Sequence, residues 1–198
     1  TDGHTLLVIT SSHTIGETLL PNRGYVLARD FTPVAAFNAT ALAITVAPGL
    51  PARDVAGLVA HARAHPGALS CATTGIGTAN HLVGELIRLR AGIDWVHVPY
   101  RAGAEARTDL MADRVQVMID PVADAAELSR GGRVRVLAVT SAAPSAALPG
   151  VPPLAATLPG FDVGLLIGPM APAGTLPAVV QRLNEAVRAA TRDPEVQR

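Results

Sequence analysis

Residues 69–82, LSCATTGIGTANHL, place a buried strand, a glycine-bearing loop and a helix start in direct succession. The small and apolar side chains at the beginning of this stretch favour a strand interior. Gly75 and Gly77 allow the backbone to turn sharply and to approach a bound group closely. Thr78 is typical of a helix N-cap, because its hydroxyl can accept a hydrogen bond from an amide of the first turn. The stretch therefore predicts a strand–loop–helix unit.

The start of this helix is a candidate anion site. A helix N-terminus exposes backbone N–H groups and carries about half a positive charge. Such a site can hold a carboxylate or a phosphate without a charged side chain. The predicted anion seat consists of Thr74, Gly75, Thr78, Ala79 and Asn80. The same residues also fit an ordinary helix cap, so the residues alone leave both interpretations open.

Composition excludes several classes of function. With 198 residues, 49% hydrophobic and 16% charged, the chain is expected to be an ordered globular protein of one or two domains. A net charge of zero and an aromatic content of 3% argue against nucleic-acid binding. All sixteen basic residues are arginine, which excludes a lysine Schiff base or a P-loop lysine. No cofactor is predicted.

Cysteine and hydropathy give two further expectations. Cys71 is the single cysteine and cannot form an internal disulfide. Its place in an apolar strand predicts a buried, inert thiol rather than a nucleophile. No apolar run is long enough to span a bilayer, so no direct membrane insertion is expected.

Strands alternate with helices along the chain, which predicts an α/β fold with a parallel or mostly parallel sheet. Strands are predicted at residues 5–10, 34–37, 41–47, 69–73, 95–98, 115–119, 134–140 and 163–168. Helices are predicted at 15–20, 55–65, 79–90, 104–112, from Pro121 to about 130, and after Thr175 as cap. In such folds ligands bind at the carboxyl ends of strands. Four loops satisfy that placement: 11–13, 74–81, 99–103 and 120–121.

Two of these helices carry more specific expectations. Asp54 is predicted to cap the helix over 55–65. The helix over 79–90 is expected to place Leu82, Leu86 and Leu89 on one side. Its other side is expected to carry an ion pair between Glu85 and Arg88.

Ser11, Ser12 and His13 follow the first predicted strand and raise the possibility of a nucleophile and a base. Adjacent residues on an extended segment point to opposite sides, so Ser12 and His13 are poorly placed to pair. No GxSxG elbow is present. The two serine hydroxyls fit donation to a ligand carboxylate better, and no catalytic residue is predicted.

Other polar residues near the strand ends are candidate ligand contacts with structural alternatives. Tyr100, Arg101 and Gly103 follow a strand, where Arg101 can clamp a carboxylate or stay solvated. Asp120 can accept from a ligand or cap the next helix. His81 can hydrogen-bond near the ligand or serve a structural role. No HxxxH or HxxE cluster lies nearby, so no metal site is predicted.

An ordered set of segments resembles the Bug family, the periplasmic receptors of tripartite tricarboxylate transporters. The segments are DGHTLLVITSSHT (2–14), TTGIGTANHLVGEL (73–86), HVPYRAGAEARTDLMADRVQVMID (97–120), GGRVRVLAVTS (131–141), LPGVPPLAATLPGF (148–161) and IGPMAPAGTLPAVVQRLNEAV (167–187). Two departures are Ala102, where members often have glycine, and HTIGETLLP after Ser12, which lacks their Asn-Pro.

The resemblance implies a type II periplasmic-binding-protein fold, in which two α/β lobes are joined by crossing strands. Lobe one would comprise residues 1–42 and 163–198, and lobe two residues 43–162. The family's first strand and first two helices have no counterpart here, so the N-terminal part of lobe one is expected to be missing.

The function implied is capture of a small organic carboxylate by hinge closure, with no catalytic step. The expected partners are the ligand and the membrane components of the transporter, the expected location is the periplasm, and the expected state is a monomer. Two alternatives remain open at this point. One is an enzyme acting on a small phosphate or carboxylate substrate, and the other is the effector-binding domain of a transcription regulator.

Overall fold

The computed structural model describes residues 2–196, and its chain divides into two compact units. One unit consists of the residues up to Ala39 together with those from Leu165 onward, and the other runs from Thr40 to Gly164. The assignment of binding lobes to 1–42, 163–198 and 43–162 stays a prediction, and its outer limits, Thr1 and Arg198, lie outside the described residues.

Eight strands and seven α-helices are described within residues 2–196. The strands are β1 (Leu7–Ile9), β2 (Phe31–Pro33), β3 (Asn38–Val46), β4 (Ser70–Thr73), β5 (Val96–Pro99), β6 (Val117–Pro121), β7 (Arg135–Val139) and β8 (Gly164–Pro172). The helices are α1 (Ser11–Leu19), α2 (Leu27–Asp30), α3 (Val55–Ala64), α4 (Ala79–Ala91), α5 (Gly103–Met111), α6 (Val122–Arg130) and α7 (Pro177–Ala190). A 3₁₀ turn covers Leu154–Ala156. None of the described helices is both long and apolar enough to cross a membrane.

The unit from Thr40 to Gly164 is built on a mixed sheet. β4 is parallel to both β5 and β6, while β3 is antiparallel to both β6 and β7. The strand order that follows is β7-β3-β6-β4-β5. Four of these five strands run in the same direction and β3 runs against them, so the unit fits the prediction of a mostly parallel sheet in strand direction, while the pairings of β3 are antiparallel.

Helices cover both faces of this sheet. Ala72 of β4 belongs to an apolar cluster with Ala106 and Leu110 of α5. Its neighbour Cys71 lies on the opposite face, where a Cβ on Gly84 of α4 would come within 3.6 Å of its sulfur. Because side chains alternate along β4, one face of the sheet packs against α4 and the opposite face packs against α5.

The unit that includes both chain ends has antiparallel pairings. β8 pairs with β1 and with β2, and both pairings are antiparallel. A parallel arrangement was therefore the wrong expectation for this unit. The predicted cap of the last helix was also wrong, because Leu176 occupies the N-cap position of α7 and the Thr175 hydroxyl donates to the Pro172 carbonyl at 2.7 Å.

The helices with clear caps were predicted correctly. Asp54 accepts from the Gly57 amide at 2.7 Å at the start of α3, and Gly92 ends α4 in a left-handed conformation at φ 58°. The predicted apolar face of α4 was wrong, because Leu89 is 67% exposed. Its buried side consists of Ala79, Asn80, Val83, Gly84, Ile87 and Ala91.

The region before residue 47 differs most from the sequence expectations. β3 begins at Asn38, within the predicted break between two strands, and residues 34–37 are not a strand. α2 lies between the predicted helix at 15–20 and the predicted strand at 34–37, where no element was predicted, and β2 follows it directly. These short elements lack the periodicity from which longer ones are recognised.

Gly168 is expected to tolerate no side chain. A Cβ at this position of β8 would collide with the carbonyl oxygen of Ala35 and come within 3.1 Å of the Ala36 Cα. Because these atoms are backbone, Gly168→Ala should lower the free energy of unfolding by about 1–3 kcal/mol, measured by urea denaturation. The matched control is Gly16→Ala inside α1, where the new methyl meets only the Leu20 side chain at 3.5 Å. That control should gain about 0.5–1 kcal/mol, and equal effects of the two changes would contradict the account.

Cys71 is expected to be unreactive in the folded protein. Its side chain is fully buried, and burial, with the charge of Glu85 adding to it, raises the pKa of its thiol to about 12. Alkylation by iodoacetamide at neutral pH, followed by mass spectrometry, should show no modification until denaturant is added. Rapid labelling of the native chain would show that the strand opens far more readily than its packing implies.

Candidate functional site

Three helix N-termini meet at one edge of the sheet in the unit from Thr40 to Gly164. Thr73, the last residue of β4, lies in register with Pro99 at the end of β5, and β6 runs parallel on the other side of β4. Each of the three strands is followed by a helix, namely α4, α5 and α6. Their positive dipole ends therefore begin at the same edge, where an anion is favoured.

The loop between β4 and α4 has the conformation that its glycines were predicted to provide. Gly75 and Gly77 have φ values of 119° and 79°, which disfavour any residue with a Cβ. The Thr78 hydroxyl donates to the Gly75 carbonyl at 2.7 Å and accepts from the His81 amide at 3.4 Å. The predicted N-cap is thus confirmed, and it closes the loop onto the first turn of the helix.

Backbone donors are available at this turn. Among residues 2–196, none accepts a hydrogen bond from the backbone N–H of Ala79 or Asn80. The start of α5 lies close by, since a Cβ on Gly103 would come within 3.9 Å of the Thr74 methyl. Residues from two predicted site loops, 74–81 and 99–103, are therefore brought together. The arrangement offers main-chain N–H groups and a helix dipole to an anion.

The side chains of Asn80 and His81 are engaged within the protein. The Asn80 amide is buried and donates to the carbonyl of Ile119 at 2.7 Å, which fixes α4 to β6. The His81 ring accepts from the Gly77 amide at 3.5 Å and lies 4.7 Å from the ring of His97. Of their backbone N–H groups, that of His81 donates to Thr78, while that of Asn80 has no acceptor among residues 2–196, and a ligand contact for either residue stays a prediction.

Tyr100 and Arg101 lie in the loop after β5 but differ in their contacts. The Tyr100 hydroxyl donates to Asp109 at 2.8 Å, and burial together with this bond raises the pKa of the phenol. Arg101 is exposed, and none of the described residues forms an ion pair with it. Arg101 is therefore a cation available to a ligand at this edge.

Asp120 lies at the end of β6 in a buried ion pair. Arg107 Nε and one terminal nitrogen donate to the two Asp120 oxygens at 2.7 and 2.9 Å, and Arg107 also contacts Asp124 at 2.6 Å. Burial raises the pKa of the Asp120 carboxyl, Arg107 opposes that shift, and the pKa of Arg107 is itself raised by its bond to Asp120. The alternative that Asp120 caps the next helix was wrong, since Pro121 is the N-cap of α6.

Ser11 and Ser12 belong to the other unit, where the structure corrects their local setting. They form the first turn of α1 rather than an extended segment. The His13 ring accepts from the Thr10 amide at 3.1 Å. The ring therefore lies against the N-cap residue of α1, and the nitrogen that accepts this bond does not serve as a base. Ser11 accepts from the Leu166 amide at 3.4 Å, and a ligand contact for either serine stays a prediction.

One cluster in this part of the molecule was missed from the sequence. Glu85 pairs with Arg88 at 2.9 Å, as predicted, but its other oxygen lies 2.6 Å from Nε2 of His97. With His81, these residues place ligand atoms of three side chains within 4.8 Å of one another. Spacing motifs could not find this group, because His97 comes from a different strand. The i, i+4 pair of His81 and Glu85 was its only local signal.

The buried pair of Arg107 and Asp120 gives a stability prediction. Arg107→Met leaves the Asp120 carboxylate, 2% exposed, without its partner, so the free energy of unfolding should fall by about 3–5 kcal/mol. Asp120→Asn should cost clearly less, because Arg107 keeps Asp124 as a counter-ion. Urea denaturation at neutral pH measures both. A larger loss for Asp120→Asn than for Arg107→Met would overturn this order.

Comparisons with known proteins place the chain among transport receptors. The model of the family described as "Tripartite tricarboxylate transporter family receptor" matches residues 1–198. The UPF0065 protein in the tcbD-tcbE intergenic region of Pseudomonas sp. strain P51 is 40% identical over 98% of this chain and 59% of its own length. Protein BugT of Bordetella pertussis is 31% identical over 98% of this chain and 61% of its own length. The chain thus spans about three fifths of these relatives.

Solved structures show the same fold. Rpa4515 of R. palustris, solved with adipate, has a TM-score of 0.87 at 32% identity over 98% of this chain and 66% of its own. MatC of Rhodopseudomonas palustris, solved with bound malate, has a TM-score of 0.87 at 29% identity over 99% of this chain and 67% of its own. The predicted fold class, the α/β fold of periplasmic binding proteins, is confirmed by such likenesses.

Proposed function

Because the chain belongs to the family of tripartite tricarboxylate transporter receptors, as the Bug resemblance predicted, we propose that it captures a small carboxylate for such a transporter. The family is one of receptors, which favours binding over the alternative of catalysis. The ligand, the membrane components of the transporter as partners, and a periplasmic location are all part of this proposal.

The observation that carries the proposal is the edge where α4, α5 and α6 begin. Ala79 and Asn80 offer backbone N–H groups that have no acceptor among residues 2–196, at the first turn of α4, a thirteen-residue helix. A carboxylate accepting from such groups gains charge-assisted hydrogen bonds in addition to the dipole. Arg107 of α5, a partly buried cation, is already neutralised by Asp120 and Asp124. The attraction for an anion therefore comes mainly from the backbone.

The surroundings of these amides favour an aliphatic dicarboxylate. Ile76, between the two glycines of the loop, exposes 83% of its surface and offers apolar contact to a hydrocarbon chain. Arg101 in the neighbouring loop, which forms no ion pair within the described part of the chain, supplies a cation for a second carboxylate. Adipate and malate, bound by two relatives, belong to this class. Hinge closure over the ligand stays a prediction.

The test removes one backbone donor while the helix is kept. Ala79→Pro deletes the N–H at the first position of α4, where proline is well tolerated because Thr78 before it is extended, at φ −77° and ψ 161°. The loss of one hydrogen bond to a charged group should weaken adipate or malate binding about tenfold or more, measured by isothermal titration calorimetry.

The matched control is Ala79→Val, which adds comparable bulk and keeps the N–H. It should retain most of the affinity, and circular dichroism should show that both variants remain folded. Equal loss in the two variants would point to steric damage and contradict a donor role for Ala79. Absence of binding of every dicarboxylate to the wild-type chain would overturn the proposed function itself.

A further inference from the structure

His81, Glu85 and His97 form a cluster of side chains of the types that ligate metals, on α4 and β5. His81 and Glu85 are one turn apart on the same face of α4, and His97 approaches them from β5. One ligand atom from each lies within 4.8 Å of the others, and all three residues are partly buried. Within residues 2–196 no other three His, Cys, Asp or Glu side chains come together in this way.

From this geometry we propose a binding site for a divalent metal ion of the zinc class. Two imidazoles and one carboxylate are a donor set that Zn²⁺ accepts readily, and three protein ligands leave a fourth position open. The donors differ from the all-oxygen sets that Mg²⁺ and Ca²⁺ prefer, so these ions should bind weakly. The inference concerns side chains that the carboxylate proposal does not use.

The hydrogen bonds of the metal-free cluster cannot all be satisfied. Nε2 of His97 lies 2.6 Å from a Glu85 oxygen and 3.3 Å from the indole nitrogen of Trp95, which is a donor. If Nε2 carries a proton, that proton faces the Trp95 N–H, and two donors oppose each other. If Nε2 carries no proton, its lone pair faces the carboxylate oxygen, and two acceptors oppose each other. The second ring nitrogen, Nδ1, is buried without a partner.

A metal ion resolves the contact between the imidazole and the carboxylate. It takes the place of the proton that Nε2 of His97 and the Glu85 oxygen would otherwise share. Ligand atoms around tetrahedral zinc are about 3.3 Å apart, so a separation of 2.6 Å needs to open by only about 0.7 Å.

The protein holds these ligands in place. A Cβ on Gly84 would come within 2.9 Å of the His97 ring, so glycine at this position of α4 lets the imidazole pack closely. Arg88 donates to the Glu85 carboxylate, and its shortest contact, 2.9 Å, is to the oxygen that does not face His97. Arg88 Nε also donates to the oxygen that faces His97, at 3.2 Å, so Arg88 orients the carboxylate through both of its oxygens, as outer-shell partners of metal ligands do.

The experiment titrates the metal-stripped, untagged chain with ZnCl₂ and, separately, with MgCl₂ by isothermal titration calorimetry. One zinc ion per chain is expected, with little or no heat from magnesium. Glu85→Gln, His97→Gln and His81→Ala should each weaken zinc binding by at least about tenfold. The visible absorption of added Co²⁺ should report a tetrahedral site in the wild-type chain and lose its intensity in these variants.

The matched control is the double change of His61 and His65 to alanine. These two rings lie 4.6 Å apart on α3 and its C-cap and form the other close histidine pair of this unit. The control should leave zinc binding unchanged. Circular dichroism checks that each variant folds. If His97→Gln unfolds, the zinc affinities of Glu85→Gln and His81→Ala test the proposal. Absence of zinc binding, binding that survives in the folded cluster variants, or binding lost only in the control overturns the proposal. None of these results depends on carboxylate binding.

Discussion

The parallel pairing of β4 with β5 and β6 is the constraint on which the candidate site depends. Parallel strands end at the same edge of the sheet. The chain returns from that edge through a crossover helix, so the helices that follow these strands begin there. The register of Thr73 with Pro99 brings Thr74 beside Gly103 and so places the starts of α4 and α5 side by side. A shift in this register would separate the starts of these two helices, although every local cap remained intact.

The charged side chains around this edge mostly neutralise one another. Arg107 is paired with Asp120 and Asp124, and Arg114 is paired with Asp109. Internal pairing lets arginine hold the elements together without creating a strong positive field. Apart from Arg101, the favourable potential for an anion therefore comes from helix termini, whose dipoles need no counter-ion and whose N–H groups are fixed by the fold.

Sequence reasoning succeeded where the determinants are local. Asp54 and Thr78 cap α3 and α4, and the predicted bounds of these helices are close to the observed ones. A cap is recognisable from sequence because it depends on residues only three positions apart. It failed where distant residues decide. Leu89 looked apolar and periodic, yet the face of α4 that packs on the sheet carries small residues such as Gly84. The pairing of Arg107 with Asp120 likewise joins a helix to a strand that no spacing rule connects.

Helix α4 links the two kinds of chemistry inferred here. Its first turn presents main-chain donors to an anion, and one turn further the ring of His81 lies against His97 and near Glu85. The His81 amide donates to the cap at Thr78, while its ring belongs to the metal-ligating cluster. A shift of that ring toward a bound ion would act on the residue whose backbone closes the cap. Because the amide that donates to the Thr78 cap and the ring in the cluster belong to one residue, the predicted anion seat and the proposed metal site share His81.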